Sequence, residues 1–217
     1  MSMRVISWEE YVGNTPQSPV PSPQSLAITI GVFDGVHLGH QSLIRHICEP
    51  SQSPVPKAAM PPPQSPVPTV VTFRENPMKS LNLAGFTGDI YNLDQKLEFL
   101  ESLGVKLTVL IDFSEEISKM NGRDFIDLLL GSQPVTLLAL GGNFRCGHDQ
   151  DIGVGEIQNL AKARGVETWV APPVMDEGQP VSSNRIRQAL VAGRFEEAQR
   201  MLGRPLDSIT FNNIAPK

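Results

Sequence analysis

Cysteine is scarce: Cys48 and Cys146 are the only two among 217 residues, and they lie far apart with neither a CxxC nor a metal-ligand spacing. At this length a disulfide-stapled fold is excluded, and the usage predicts buried free thiols in a reducing compartment. Long apolar runs are missing too. No stretch approaches the roughly 18 residues of a membrane span, and the opening MSMRVISWEE has no signal-peptide core, so a cytoplasmic protein without membrane contact is expected. An excess of basic charge is also absent: 18 basic against 23 acidic residues leave a net charge of −5. No global field would concentrate nucleic acid or an anionic membrane, so an anionic ligand must meet local donors. The apolar fraction of 40% still suffices for the core of one α/β domain or two small ones.

Proline is the residue in excess, at 19. Four fall in Asn14–Ser25 and eight in Pro50–Pro68, leaving seven for the other 186 positions. A hexamer recurs in these tracts, as PQSPVP at Pro16–Pro21 and Pro63–Pro68 and as SQSPVP at Ser51–Pro56. Such segments lack the apolar surface to offset ordering entropy and favour extended polyproline conformations. They read as surface insertions at 14–25 and 50–68, with a PxxP-binding partner as the minor alternative.

Between the insertions the pattern alternates. Leu26–Val32 is an apolar, β-branched run ending in glycine, the form of a strand buried on both faces of a parallel sheet. Helical spacing over Leu38–Cys48 and a strand at Thr69–Phe73 complete a βαβ unit. Helix Leu93–Leu103 precedes strand Val105–Ile111. Helix Phe125–Leu130, strand Val135–Leu140, helix Ile157–Arg164 and strand Val166–Val170 continue the series. Ser182–Leu202 divides into two short helices at Gly193. The fold class predicted is α/β, a Rossmann-like doubly wound parallel sheet of about five strands with a short helical C-terminal part.

Ligands of such sheets bind beyond the carboxyl ends of the strands, near the point where strand order reverses. Four segments qualify. After the first strand, Gly31, Phe33, Asp34, Gly35, His37, Gly39 and His40 lie within one turn opening a helix. Histidines at i and i+3 share a helical face, and the free N–H groups of a helix N-terminus favour an anion, so a polyphosphate suits this turn. Neither GxxxxGK[ST] nor GxGxxG occurs, and no carboxylate stands at the spacing of a zinc motif. In the second segment Ser182 and Ser183 cap a helix whose first turn holds Arg185 and Arg187. Arginines placed there oppose the helix dipole unless an anion is near. Arg185 also has a structural reading, because i and i+2 do not share a face. The third segment is Gly141–Gly147 with Asn143. The fourth, Thr72, Phe73, Arg74, Glu75, Asn76 and Pro77, leads into the Gly-containing loop Met78–Gly88. His46 and His148 read as surface or structural residues.

Together GVFDGVHLGHQ, GGNFRCG, VSSNRIRQAL and LGRP, in this order from Leu26 to Pro205, resemble the adenylyltransferase module of prokaryotic FAD synthetases, within the HxGH nucleotidylyltransferases. The resemblance implies an enzyme that transfers AMP from Mg-ATP to FMN, giving FAD and pyrophosphate. It implies that His37 and His40 hold the ATP phosphates while Ser182, Ser183 and Arg187 close from the other side. Asn143 would lie near the phosphates, and Phe33, Asp34 and Gly35 would shape the floor. Thr72, Phe73, Asn76 and Pro77 would form the flavin side, and Mg²⁺ would sit mainly on phosphates, with no protein ligand assigned.

The chain departs from the family pattern in places. Thr-Phe-acid-Pro-His-Pro has become Thr72-Phe73-Arg74-Glu75-Asn76-Pro77, and SSTxIR has become SSNRIR. Bifunctional relatives continue after LGRP into a riboflavin kinase domain. Here Leu206–Lys217 form only a tail, so a 1–205 nucleotidylyltransferase domain without kinase activity is expected. The alternatives are another phosphorylated acceptor, such as nicotinamide mononucleotide or phosphopantetheine, and a catalytically silent nucleotide-binding scaffold.

Overall fold

Leu26–Ile30 divides its side chains between two cores. Leu26, Ile28 and Ile30 pack into one cluster and Ala27 into the other, and every position is buried. A strand with no polar face must be covered on both sides, and in this protein helices do so. The computed structural model describes residues 2–13, 24–49, 65–81 and 87–206. Along these residues run β1 (Arg4–Ser7), α1 (Trp8–Val12), β2 (Leu26–Ile30), α2 (Leu38–Cys48), β3 (Val67–Phe73), α3 (Pro77–Ser80) and α4 (Leu93–Ser102). Then come β4 (Leu107–Ile111), α5 (Glu115–Lys119), α6 (Gly122–Gly131) and β5 (Val135–Gly141). A two-residue ladder joins β6 (Arg145–Cys146) to β7 (Ile152–Gly153), and α7 (Val154–Ala163) and β8 (Glu167–Ala171) follow. The hairpin β9 (Met175–Asp176) and β10 (Gln179–Pro180) leads to α8 (Ser183–Val191) and α9 (Phe195–Leu202).

Six strands make one parallel sheet in the order β1-β4-β3-β2-β5-β8. Residues of α1, α6 and α7 cover one face, among them Trp8, Tyr11, Ile126, Leu129 and Ile157. Leu43, Ile44 and Ile47 of α2 and Leu100 of α4 cover the other. A third cluster joins α8 and α9 to Ile90 and Tyr91. Strand order reverses at β2: β3 and β4 lie to one side of it, β5 and β8 to the other. The crevice therefore opens beyond the carboxyl ends of β2 and β5.

The predicted α/β class and doubly wound sheet hold, and α2 has the predicted limits. The sheet has six strands, one more than the five segments read from the sequence. The additional one is β1, four residues at the sheet edge with Arg4 and Val5 exposed, too short and too mixed to announce itself. Strand β3 starts at Val67, inside the Pro-rich tract, with Pro68 near its beginning where a missing N–H costs little. Residues 14–23 and 50–64 of the tracts, and 82–86 of the loop after β3, lie outside the described residues. The thiols are half-buried rather than buried. Both are free, and burial pushes Cys146 up to about 12. Among the described residues no helix is long and apolar enough to cross a membrane.

Candidate active site

The turn from β2 to α2 is held in unusual backbone. Phe33 (φ 52) and Val36 (φ 37) are left-handed, which is a real outlier for a β-branched residue, and Gly35 between them has φ 76. Such conformations cost of order 1–3 kcal/mol each and persist only where the surroundings fix them. Here they deliver His37 to the N-cap of α2, where its Nδ1 accepts from the His40 amide at 3.4 Å. With Nδ1 accepting, a neutral His37 carries its proton on Nε2. His40 lies one turn on, and the two rings stack at 3.7 Å between centroids with 15° between planes. Gly39 leaves room for the stack, because a Cβ there would sit 3.1 Å from His37 Cε1, tighter than an ordinary contact.

Both imidazoles are neutral near pH 7. Burial pushes His37 down to about 4, and burial together with nearby positive charge holds His40 well below its usual value. Those charges are Lys96 and Arg204, with His37 if it is protonated. His40 Nδ1 is enclosed and has no hydrogen-bond partner among the described residues. A buried polar atom left unpaired in a native fold calls for a ligand or a water.

Asp34 and the start of α8 form the opposite wall. Arg187 donates to the Asp34 carboxylate as a buried ion pair and to the Gly88 carbonyl at 3.0 Å. Asp34 also accepts from the Ile90 amide at 2.8 Å, and its carbonyl accepts from the Ser183 hydroxyl at 2.9 Å. Ser182 caps α8 by accepting from the Arg185 amide. The N-termini of α2 and α8 thus converge on one space.

That space is a cavity of about 1240 Å³, larger than the roughly 300–1,000 Å³ of a site for one small ligand. It brings together Gly31, Phe33, Asp34, His37, Gly39, His40, Phe73, Asn76, Pro77, Asn143, Ser183 and Arg187. Gly35, Thr72, Ser182 and Arg185 do not line it. Gly35 is buried within the turn, and the Thr72 hydroxyl donates to the Val32 carbonyl at 3.0 Å. Arg185 is engaged elsewhere: it pairs with Asp176 at 3.2 Å and Glu197 at 3.6 Å and donates to the Gln179 and Pro180 carbonyls. This is the structural reading of that arginine.

The far end of the cavity is apolar. Phe73 meets Phe113 edge to face at 5.9 Å, and Ile117, Met120, Phe125 and Phe144 continue the surface. Asn76 caps α3 through Oδ1, while its Nδ2 is buried with no partner among the described residues. Arg74, the departure from the acid expected there, pairs with Asp112 at 2.8 Å across the ends of β3 and β4. Among the described residues no three His, Cys, Asp or Glu side chains gather as a metal site.

Several residues of the site escape sequence reasoning. Lys96 is buried on α4 and donates to the Phe73 carbonyl at 2.8 Å and the Val32 carbonyl at 3.4 Å, tying two loops of the site together. Burial pulls its pKa down to about 8. Its position shared a helical face with Leu93 and Leu100, which was a usable signal. His148, read as surface or structural, stands on the cavity wall with Nδ1 2.9 Å from the Ser118 carbonyl. Phe113, Ile117 and Met120 come from a loop and a five-residue helix that carry no local signature.

A sequence model of a known family, described as FAD synthetase, matches residues 20–185, three quarters of the chain. The chain belongs to the FAD synthetase family. It is 30% identical over 181 residues to the bifunctional riboflavin kinase/FMN adenylyltransferase of Listeria monocytogenes, covering 82% of this chain and 54% of that protein. With the bifunctional riboflavin kinase/FMN adenylyltransferase of Escherichia coli strain K12 it is 27% identical over 195 residues, covering 89% of this chain and 58% of that one. The chain therefore spans little more than half the length of these FAD synthetase relatives. Among solved structures, one described as a macrolide-efflux protein from Streptococcus pneumoniae superposes with a TM-score of 0.71 at 25% identity, covering 94% of this chain and 72% of that one. It shares the parallel α/β fold described above.

Proposed function

We propose that the protein is an FMN adenylyltransferase, transferring AMP from Mg-ATP to FMN to give FAD and pyrophosphate. The observation that carries this reading is the stacked, neutral pair His37 and His40, with an unpartnered Nδ1, set at the N-terminus of α2 beside a cavity large enough for two ligands. Membership of the FAD synthetase family supports the choice of acceptor. The unit concerned spans residues 1–205, insertions included.

An oxygen of the FMN phosphate attacks the α-phosphorus of ATP, and the bond from that phosphorus to the bridging oxygen of the leaving pyrophosphate breaks. No covalent bond to the protein is needed, so the protein positions the reactants and stabilises the charge on the departing group. His37 and His40 donate to phosphate oxygens, and the dipoles of α2 and α8 add to them. Being neutral, the imidazoles keep no counterion in the free site; the positive charge of Lys96 and Arg204 stands behind them. Arg187 and Ser183 meet the phosphates from α8, with Asp34 fixing both. Ser182 and Arg185 serve by capping and bracing that helix. Asn143 lies on the loop after β5, across the reversal point. Magnesium would be bound chiefly by the nucleotide phosphates and water, where it would help neutralise the pyrophosphate charge; no side chain of this site is assigned to it. The apolar end, Phe73 and Phe113 above all, suits the flat face of a flavin, and Asn76 Nδ2 and Pro77 border it.

The test is product analysis after incubation with ATP, magnesium and either FMN, riboflavin or nicotinamide mononucleotide. FAD and pyrophosphate from FMN alone are expected. Adenylylation of nicotinamide mononucleotide instead, or ATP binding with no adenylylated product, overturns the proposal.

A further inference from the structure

Arg204 lies in the Leu202–Pro205 segment, C-terminal to the residues 20–185 that the family's sequence model matches, and it reaches the strained turn of the site. Its Nη1 donates to the Val36 and Leu202 carbonyls, both at 3.1 Å, and its Nη2 donates to the Gly35 carbonyl. Its Nε donates to the Tyr91 hydroxyl at 3.1 Å. The guanidinium carbon lies 3.8 Å from the centroid of Phe99 and 4.9 Å from that of Tyr91. Gln41 repeats the link, donating to the Val36 carbonyl at 3.0 Å and to the Leu202 carbonyl at 2.9 Å. Gly203 brings the segment close enough, with φ 70 and a position where a Cβ would lie 2.5 Å from Leu38 Cδ2. The end of α9 is thus seated on the turn that precedes α2.

That turn needs an external hold. Phe33, Gly35 and Val36 all have positive φ, and His37 follows at once. The carbonyls of Gly35 and Val36 are what Arg204 grips. A planar fork can hold two successive carbonyls while stacking on a ring, and an ammonium group cannot. We propose that Arg204 is a positioning residue for adenylyl transfer: it fixes the Gly35 and Val36 carbonyls, and through them the placement of His37 and His40 against the nucleotide phosphates. It touches no reacting atom. Its charge also disfavours protonation of both imidazoles, in keeping with their neutrality. The inference rests on the functional reading given above for the transfer step, while the geometry it describes stands apart from the identity of the acceptor.

The experiment compares wild type, Arg204→Lys and Arg204→Gln in the full chain. Folding is followed by circular dichroism and thermal melting, FAD formation by kcat and KM, and the ¹⁵N-labelled imidazoles of His37 and His40 by NMR titration between pH 5 and 8. A roughly 10- to 100-fold fall in kcat is expected in both variants, the scale of a reactant misplaced by about 1 Å. KM for FMN should stay within about twofold, because the acceptor end is untouched. In Arg204→Gln the ¹⁵N titration curves of the two imidazoles should be displaced towards higher pH relative to wild type, since a positive charge is lost and the turn loosens. A kcat within about twofold of wild type in both variants overturns the proposal. So does a fall in kcat with imidazole titrations identical to wild type in Arg204→Gln. Should Arg204→Gln fail to fold, a folded Arg204→Lys decides alone: reduced kcat at unchanged KM upholds the proposal, wild-type kcat overturns it. If the wild type forms no FAD, the functional reading fails, and the titration still decides whether Arg204 positions the histidines.

Discussion

At one end of the cavity the Phe33–His40 turn is tied down from several directions: Arg187 and the Ile90 amide hold the Asp34 carboxylate, Gln41 and Arg204 hold the carbonyls, and Gly39 leaves room for the stacked rings. At the other end Phe73, Phe113, Ile117 and Met120 present half-buried apolar surface from three different elements and loops. The first end works through donor positions, which tolerate little displacement, and the second through contact area, which tolerates repacking. A single change should therefore cost turnover at the first end and affinity at the second.

The harshest test of the rigid end is Asp34→Asn. Removing one partner of a buried ion pair leaves Arg187 under-compensated, so denaturant unfolding should show a loss of about 3–5 kcal/mol, with turnover lost as well. A smaller loss would mean that the pair matters less than its burial suggests. His40→Ala separates chemistry from stability. Steady-state assays should show kcat reduced by roughly 10²–10³, the usual scale for one lost donor to a developing charge, with melting close to wild type. Acid should loosen the rigid end selectively. His37 titrates near 4 when folded against an ordinary 6.5. The unfolded chain therefore binds the extra proton first, and stability must fall as pH drops from about 6.5 towards 4, by roughly 3 kcal/mol. Unfolding curves measured across that range should lose this part of their slope in His37→Asn, which keeps a capping side chain. The mildest effect belongs to the apolar end. Phe113→Ala should raise KM for FMN about tenfold and leave kcat within about threefold, as measured by initial rates. A collapse of kcat there would remove the distinction between the two ends.

What was readable in the sequence follows the same division. Leu26–Ile30 and the HxGH turn are local signals, a continuous apolar run and a helix start, and both stand where the pattern placed them. Ser183, Arg187 and Asn143, which line the cavity, were legible because glycine-rich turns and caps at strand ends have their own composition. The residues that were missed act over distance. Lys96 works by reaching carbonyls of two loops, and Arg204 by folding back 168 positions to Val36. Spacing could place Lys96 on the buried face of its helix, but it gives neither the carbonyls that Lys96 reaches nor the return of Arg204 to the turn. Arg185 shows the converse: its place beside a phosphate-like motif suggested a ligand, and the carboxylates of Asp176 and Glu197 claimed it instead. The apolar end had no signature, because Phe113 and α5 become a surface only when β4 sets them opposite Phe73.

Strand β1 pairs in parallel with β4, Arg4 opposite Leu107 and Ser7 opposite Leu110. During synthesis at about 5–20 residues per second, some five to twenty seconds pass between the emergence of one strand and that of the other. Until then Trp8 and Tyr11, which end buried with Phe125 and Leu129, have no core to enter. The earliest of the described segments is thus among the last to be placed, and in the nascent chain its two aromatic residues stay uncovered until α6 has been made.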